Sequence, residues 1–248
     1  MYVVETYWRV VTSSMQSHKL FQVMIDGNIG VGKSSIINEL HARKENYLEN
    51  LRSSLFVEPV EEFKKCKLRS KEFNVLECLY NKTAEAAIVQ DYFLQVARKY
   101  YKRAYQQAVV ENSNVIITER SIVSAIPFID AYGKCGTMSE FSCSYLTHRT
   151  KELMSKSGIS PDLVIVLDLP VFATLERILS RSRKGEQEID AFFLKALNEA
   201  QFDFYKYCFN SGEVKFLKIH PTWSVEMVTK AVAECINTFV DEHDQKSS

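Results

Sequence analysis

The sequence has no net charge: 31 Lys and Arg balance 31 Asp and Glu over 248 residues. A chain that grips nucleic acid along its backbone carries a basic surplus, so no nucleic-acid partner is expected. Proline and glycine are scarce, at 5 and 8, and no stretch rich in proline or serine makes a linker, so the chain reads as one domain with a full core. The six cysteines, Cys66, Cys78, Cys135, Cys143, Cys208 and Cys235, include no C-x-x-C pair. That pattern fits reduced, structural thiols and argues against a disulfide framework or a zinc site. No apolar run approaches the roughly 20 residues of a membrane span, and no basic start followed by an apolar core marks a secretory signal. These absences predict a cytoplasmic protein without a membrane partner, with the nucleus and the mitochondrion as alternative addresses. Residues 1–19 hold Tyr2, Tyr7 and Trp8 but only Arg9 as a strong base before Lys19, unlike an arginine-rich transit peptide. They read as an extension outside the domain, which occupies 20–242 and is followed by a polar tail at 243–248.

What the sequence does have is one dense motif. Gly27-Asn28-Ile29-Gly30-Val31-Gly32-Lys33-Ser34 has the spacing G-x-x-x-x-G-K-[ST] of a P-loop. Gly27 and Gly32 permit backbone angles that a side chain would obstruct, so successive N–H groups can turn toward phosphate oxygens. Lys33 supplies a point charge and the Ser34 hydroxyl can reach a magnesium ion, with Ser35 next in the same helical turn. The context agrees: residues 20–25 are an apolar strand and 34–43 a helix whose N-terminal dipole faces the anion.

The remaining chain alternates strands and helices. Strands are predicted at 54–57, 114–118, 163–167 and 214–219. Helices are predicted, with interruptions, over 61–80, and then over 84–110, 139–157, 170–177, 189–209 and 225–240. The 84–110 helix has apolar residues in steps of four, through Ile88, Tyr92, Val96, Tyr100, Ala104 and Ala108, which predicts a buried face along that row. The 189–209 helix carries Phe192, Phe193, Phe202, Phe204 and Tyr205, read as one aromatic face. Pro127 limits or kinks the helix after the 114–118 strand. Continuous apolar strands joined by helices predict an α/β fold with a five-stranded parallel sheet covered on both faces. Ligands bind at the carboxyl ends of such strands, where Gly27, Glu58 and Glu119 are all expected.

These motifs, in order, resemble the deoxyribonucleoside kinase family of P-loop fold. The resemblance covers residues 21–240 and rests on GNIGVGKSS, V-E-P-V at 57–60, N-V-L-E-C-L-Y ending at Tyr80, Gln90 on a long helix, E-R-S at 119–121 and R-x-R-x-x-E at 181–186. It implies ATP- and magnesium-dependent phosphorylation of a deoxynucleoside 5′-hydroxyl by a homodimer. Residue by residue, it implies that Glu58 is the general base, that Arg120 holds that carboxylate and the 5′-oxygen, and that Glu119 joins Ser34 in placing magnesium. It also implies that Arg181 and Arg183 form an arginine-rich lid, that Arg177 packs on the adenine, and that Glu186 and Tyr80 hold the 3′-hydroxyl. Gln90 then pairs with the base, and Phe63 is an aromatic wall. Positions that carry arginine and aspartate in deoxycytidine and deoxyguanosine kinases are Ala97 and Ala125 here, which leaves room for the methyl group of thymine. Thymidine is therefore the expected acceptor, with deoxycytidine also accepted. Two positions depart from the family: Val89 and Ile129 stand where it usually has phenylalanine, so base stacking is expected to weaken or to come from other rings.

Three other readings share the loop. A thymidylate kinase typically has an aspartate-arginine pair where this chain has Glu58-Pro59 and Glu119-Arg120-Ser121. A non-catalytic relative would lose residues that this chain retains. A GTPase would carry an N-K-x-D segment, which the sequence lacks.

Overall fold

The computed structural model describes residues 19–64, 66–68, 71–80, 82–158, 160–183 and 186–245. The expected extension, Lys19 excepted, therefore lies outside the described residues. The core is a five-stranded sheet of β1 (Phe21–Gly27), β2 (Ser53–Phe56), β5 (Val115–Glu119), β6 (Leu163–Asp168) and β7 (Glu213–Lys218), in the order β2-β5-β1-β6-β7. Every pairing is parallel, with β1 central between β5 and β6. Three of these strands, β1, β5 and β6, are mostly apolar because both of their faces are covered.

On one face Phe21, Val23, Ile25, Ile117 and Ile165 pack against α1 (Lys33–Ala42) and the C-terminal α9 (Val225–Asp244), through Ile37, Leu40, Val232 and Ile236. The other face turns Met24, Ile116 and Val164 toward Val123, Tyr205 and the alanines of α4 (Ala86–Val110). A second layer is helical. There α4 packs with α5 (Ala125–Lys134) and α6 (Glu140–Ser157) around Leu94, Tyr101, Ile129 and Leu146. Helices α7 (Val171–Arg181) and α8 (Ala191–Asp203) close the arrangement next to the loop after β1.

Four local expectations need correction. The stretch 61–80 is not helical throughout: α2 (Val60–Lys64) is followed by an antiparallel hairpin, β3 (Cys66–Leu68) with β4 (Lys71–Phe73), and then α3 (Val75–Tyr80). Three-residue strands are too short to show a period of two. On α4, Ile88 is 65 % exposed while Ala104 and Ala108 are buried. Steps of four overshoot a 3.6-residue turn by about 40° each, so that row winds off the buried face. The 189–209 segment changes to a π turn at Phe204–Cys208. Its rings do not share a face, since Phe192 and Phe202 are exposed and Tyr205 is fully buried. The last helix continues to Asp244, so the expected tail begins inside it. Pro127 falls in the first turn of α5, where a missing N–H costs no helical bond, and a 3₁₀ turn at Ile122–Ser124 precedes it.

Leu40 seats α1 on the sheet with no exposure. Leu40→Ala is expected to cost about 2–5 kcal/mol, whereas Val110→Ala, at a position 85 % exposed, stays within about 0.5 kcal/mol. Urea denaturation midpoints measure both.

Candidate active site

The site begins where β1 ends. Gly27 has φ +139°, and a Cβ there would stand 2.6 Å from the Leu167 carbonyl oxygen, so only glycine lets β1 turn beside β6. Gly32, at φ +106°, caps α1 without a side chain, which leaves the first helical N–H groups facing the loop. Asn28 fastens the loop to the helical layer: its Nδ2 donates to the Leu194 carbonyl at 2.8 Å, and its Oδ1 accepts from Ile29 N at 2.8 Å. Ile29 is buried against α8 and Val31 against the sheet. Arg177, on α7, donates from Nη1 to the Val31 carbonyl at 3.0 Å. Ser35 is exposed in the first turn of α1.

Lys33 is buried and curls back over the loop, donating to the carbonyls of Gly27 at 3.0 Å and Asn28 at 2.8 Å. Burial, aided by the nearby Arg120 charge and opposed by Glu119, Asp26 and Glu58, lowers its pKa to about 8. A phosphate in the loop is the natural counter-charge for such an ammonium.

Three strand ends bring carboxylates to this lysine. Glu119 closes β5, accepting from the Ser34 hydroxyl at 3.0 Å on one oxygen and from the backbone N–H of Glu58 at 3.2 Å on the other. A hydroxyl and a carboxylate this close beside a phosphate loop form a hard-oxygen pair that suits Mg²⁺, an ion that takes one or two protein ligands together with substrate phosphates. Arg120 follows, in a left-handed conformation at φ +58°, which is costly for a side chain of this size. Its Nη1 donates to Glu58 Oε2 at 2.7 Å, its Nη2 donates to the Gly27 carbonyl at 3.3 Å, and its guanidinium lies 4.9 Å from the centre of the Phe128 ring. Burial raises the pKa of Glu58, against the opposing pull of Arg120. The result is a carboxylate that takes up protons more readily than an exposed one.

A cleft of about 980 Å³, counting its open mouth, runs from Lys33 and Ser34 past Glu58 and Arg120 to Gln90. All eight residues expected to bind the acceptor line it: Glu58, Phe63, Tyr80, Gln90, Ala97, Arg120, Ala125 and Glu186. Gln90 is buried on α4, and Ala97 lies two turns further along. The two arginines expected to form a lid meet Glu186, which is itself buried. Arg181 grips it with two bonds, each 2.7 Å, and Arg183 with one of 3.2 Å. Tyr80 lies close enough for the Glu186 charge, after burial, to raise its hydroxyl pKa. Gly27, Asn28, Val31, Gly32, Ser35 and Arg177 do not line the cleft and belong to the loop side of the site.

The rings that line the cleft were the part least visible in the sequence. Val89 and Ile129 point into the helical core, so the two departures do not leave the cleft without aromatics. Phe128 lines it although it adjoins Ile129, and Phe93, one turn after Gln90, packs on Phe63 with ring centres 4.5 Å apart. Phe93 shares a helical face with Gln90, a spacing of three that could have revealed it. Tyr101, whose hydroxyl donates to the Glu119 carbonyl at 2.7 Å, was equally unmarked.

Known proteins agree with this geometry. A sequence model of the deoxynucleoside kinase family matches residues 23–241. A probable deoxycytidine kinase of fowlpox virus (strain NVSL) is 26 % identical over 188 residues, which are 75 % of this chain and 72 % of that protein. Solved structures of deoxyadenosine kinase from M. mycoides share the fold. The one with bound dCTP has a TM-score of 0.66 at 21 % identity, covering 88 % of this chain and 100 % of that one, and the one with bound dATP has 0.64 at 22 %, covering 88 % and 99 %. Among the described residues no helix is long and apolar enough to cross a membrane. With a family match that spans nearly the whole folded region, the chain belongs to the deoxynucleoside kinase family.

Proposed function

We propose that the protein transfers the terminal phosphoryl group of ATP to the 5′-hydroxyl of thymidine, and more slowly to that of deoxycytidine. The observation that carries this reading is the 2.7 Å contact between Arg120 and Glu58, set between a phosphate loop at one end of the cleft and Gln90, Ala97 and Ala125 at the other. A sugar hydroxyl placed there has a carboxylate to take its proton as attack proceeds, and Arg120 steadies both. Lys33, Arg181 and Arg183 offset charge that spreads over the transferring group. Glu186 and Tyr80 bind the sugar, and Phe63, Phe93 and Phe128 flank the base. Ser34 and Glu119 would hold Mg²⁺, which when bound would supply positive charge to offset that of the phosphates. Arg177 serves the donor side. The protein acts in nucleotide supply for DNA synthesis, in the cytoplasm and as a homodimer.

The thymidine assignment rests on side-chain size. Gln90 presents one donor and one acceptor to a base edge, while Ala97 and Ala125 leave space beside it and offer no charge to an exocyclic amine. Deoxycytidine as preferred acceptor is the second reading, favoured by the probable deoxycytidine kinase among the relatives.

Steady-state kinetics with ATP, Mg²⁺ and each deoxynucleoside separates these readings. The expected order puts thymidine first, and Ala97→Arg combined with Ala125→Asp moves the ratio of kcat/KM values toward deoxycytidine by roughly tenfold or more. Absence of turnover with all four deoxynucleosides would falsify the proposal. Glu58→Gln lowers kcat by roughly 10²- to 10⁴-fold. Because the base must be ionised and burial raises the pKa of Glu58, wild-type kcat/KM falls as pH drops through a value above the usual carboxylate range. A pH profile locates this limb, which Glu58→Gln lacks.

A further inference from the structure

One charged side chain has no part in the mechanism above. Asp26, the penultimate residue of β1, is completely buried, and a carboxylate persists in such a place only where donors surround it. Its Oδ1 accepts from the Gly27 N–H at 2.7 Å and from Gln201 Nε2 at 3.4 Å, and its Oδ2 accepts from the Tyr205 hydroxyl. Arg120 Nε stands 3.4 Å from the same Oδ1 as an ion pair, and that buried nitrogen has no hydrogen-bond partner. The guanidinium thus pairs with two carboxylates, Asp26 through Nε and Glu58 through Nη1.

Tyr205 reaches Asp26 from the π turn at Phe204–Cys208. A regular α-helix through these residues would rotate the ring to another bearing, and π turns are kept where they aim a side chain. Burial beside Asp26 keeps the phenol protonated by raising its pKa well above the ordinary value, so it remains a donor.

We infer that Asp26, oriented by Tyr205, is a positioning residue for phosphoryl transfer, its contact with Nε seating Arg120 between the P-loop and Glu58. This rests on the roles proposed for Glu58 and Arg120. When Glu58 takes the proton of the acceptor hydroxyl it becomes neutral, and its attraction for Arg120 weakens. Asp26 holds the guanidinium through Nε and takes no part in that transfer, so the arginine stays at the reacting oxygen in its strained backbone conformation. Without Asp26 the arginine keeps, among the described residues, only the ion pair with Glu58 and draws toward it, away from the transferring group.

Asp26→Asn and Tyr205→Phe in the full chain test this, with single-turnover rates to exclude product release. The expected losses in rate are on the order of 100-fold for Asp26→Asn, the effect of a small misplacement of a reacting group, and about tenfold for Tyr205→Phe, one hydrogen bond to a charged group. ATP affinity by calorimetry and KM for the deoxynucleoside stay at wild-type values, and the double variant is no slower than Asp26→Asn alone. Unchanged rates in folded variants overturn the inference, as do losses that add in the double variant or that follow a parallel loss of ATP affinity, the mark of a purely structural support for the loop. Where Asp26→Asn fails to fold, by its melting temperature, Tyr205→Phe decides by the same measurements. A wild-type protein without kinase activity overturns the proposed function and this inference together, whereas an active wild type with indifferent variants overturns the inference alone.

Discussion

The arrangement depends on one cation held among buried anions. Arg120 touches Glu58, the Gly27 carbonyl and, at longer range, Asp26, so a single guanidinium ties the end of β1, the segment after β2 and the end of β5. Its left-handed backbone is the cost of that reach. The sheet makes the meeting possible, because parallel strands deliver all their carboxyl ends to one edge, and with β1 central its neighbours β5 and β6 flank the loop.

Around this cation the site divides into a rigid side and a gripping side. The P-loop is fastened to both layers of the fold, with Val31 in the sheet core and Asn28 bonded to the Leu194 carbonyl. Its lysine is buried and its helix start carries no side-chain cap. Opposite it, Arg181 and Arg183 converge on the buried carboxylate of Glu186. That pairing brings both arginines to the cleft wall.

Much of the fold was legible because its signals are local. The strands β1, β5 and β6 are largely apolar segments of five to seven residues, and the loop has fixed glycine spacing. The parts that escaped were those set by packing. The β3–β4 hairpin is too short to show a period, the buried face of α4 follows a 3.6-residue turn and not the row of fours, and the π turn at Phe204–Cys208 has no composition of its own.

By itself the sequence determined a phosphate loop and two strand-end glutamates, because each is a contiguous motif whose residue types follow from the chemistry of phosphate and magnesium. Only the tertiary structure decided which rings line the cleft and how Arg120 is held. Phe128 enters the cleft while Ile129 enters the core, and Phe93 comes to Phe63 across 30 residues. Asp26 reads in the sequence as one polar residue in an apolar strand. Its partners Gln201 and Tyr205 lie 175 and 179 residues away, and contacts of that kind depend on the direction of a side chain after packing, which no spacing records.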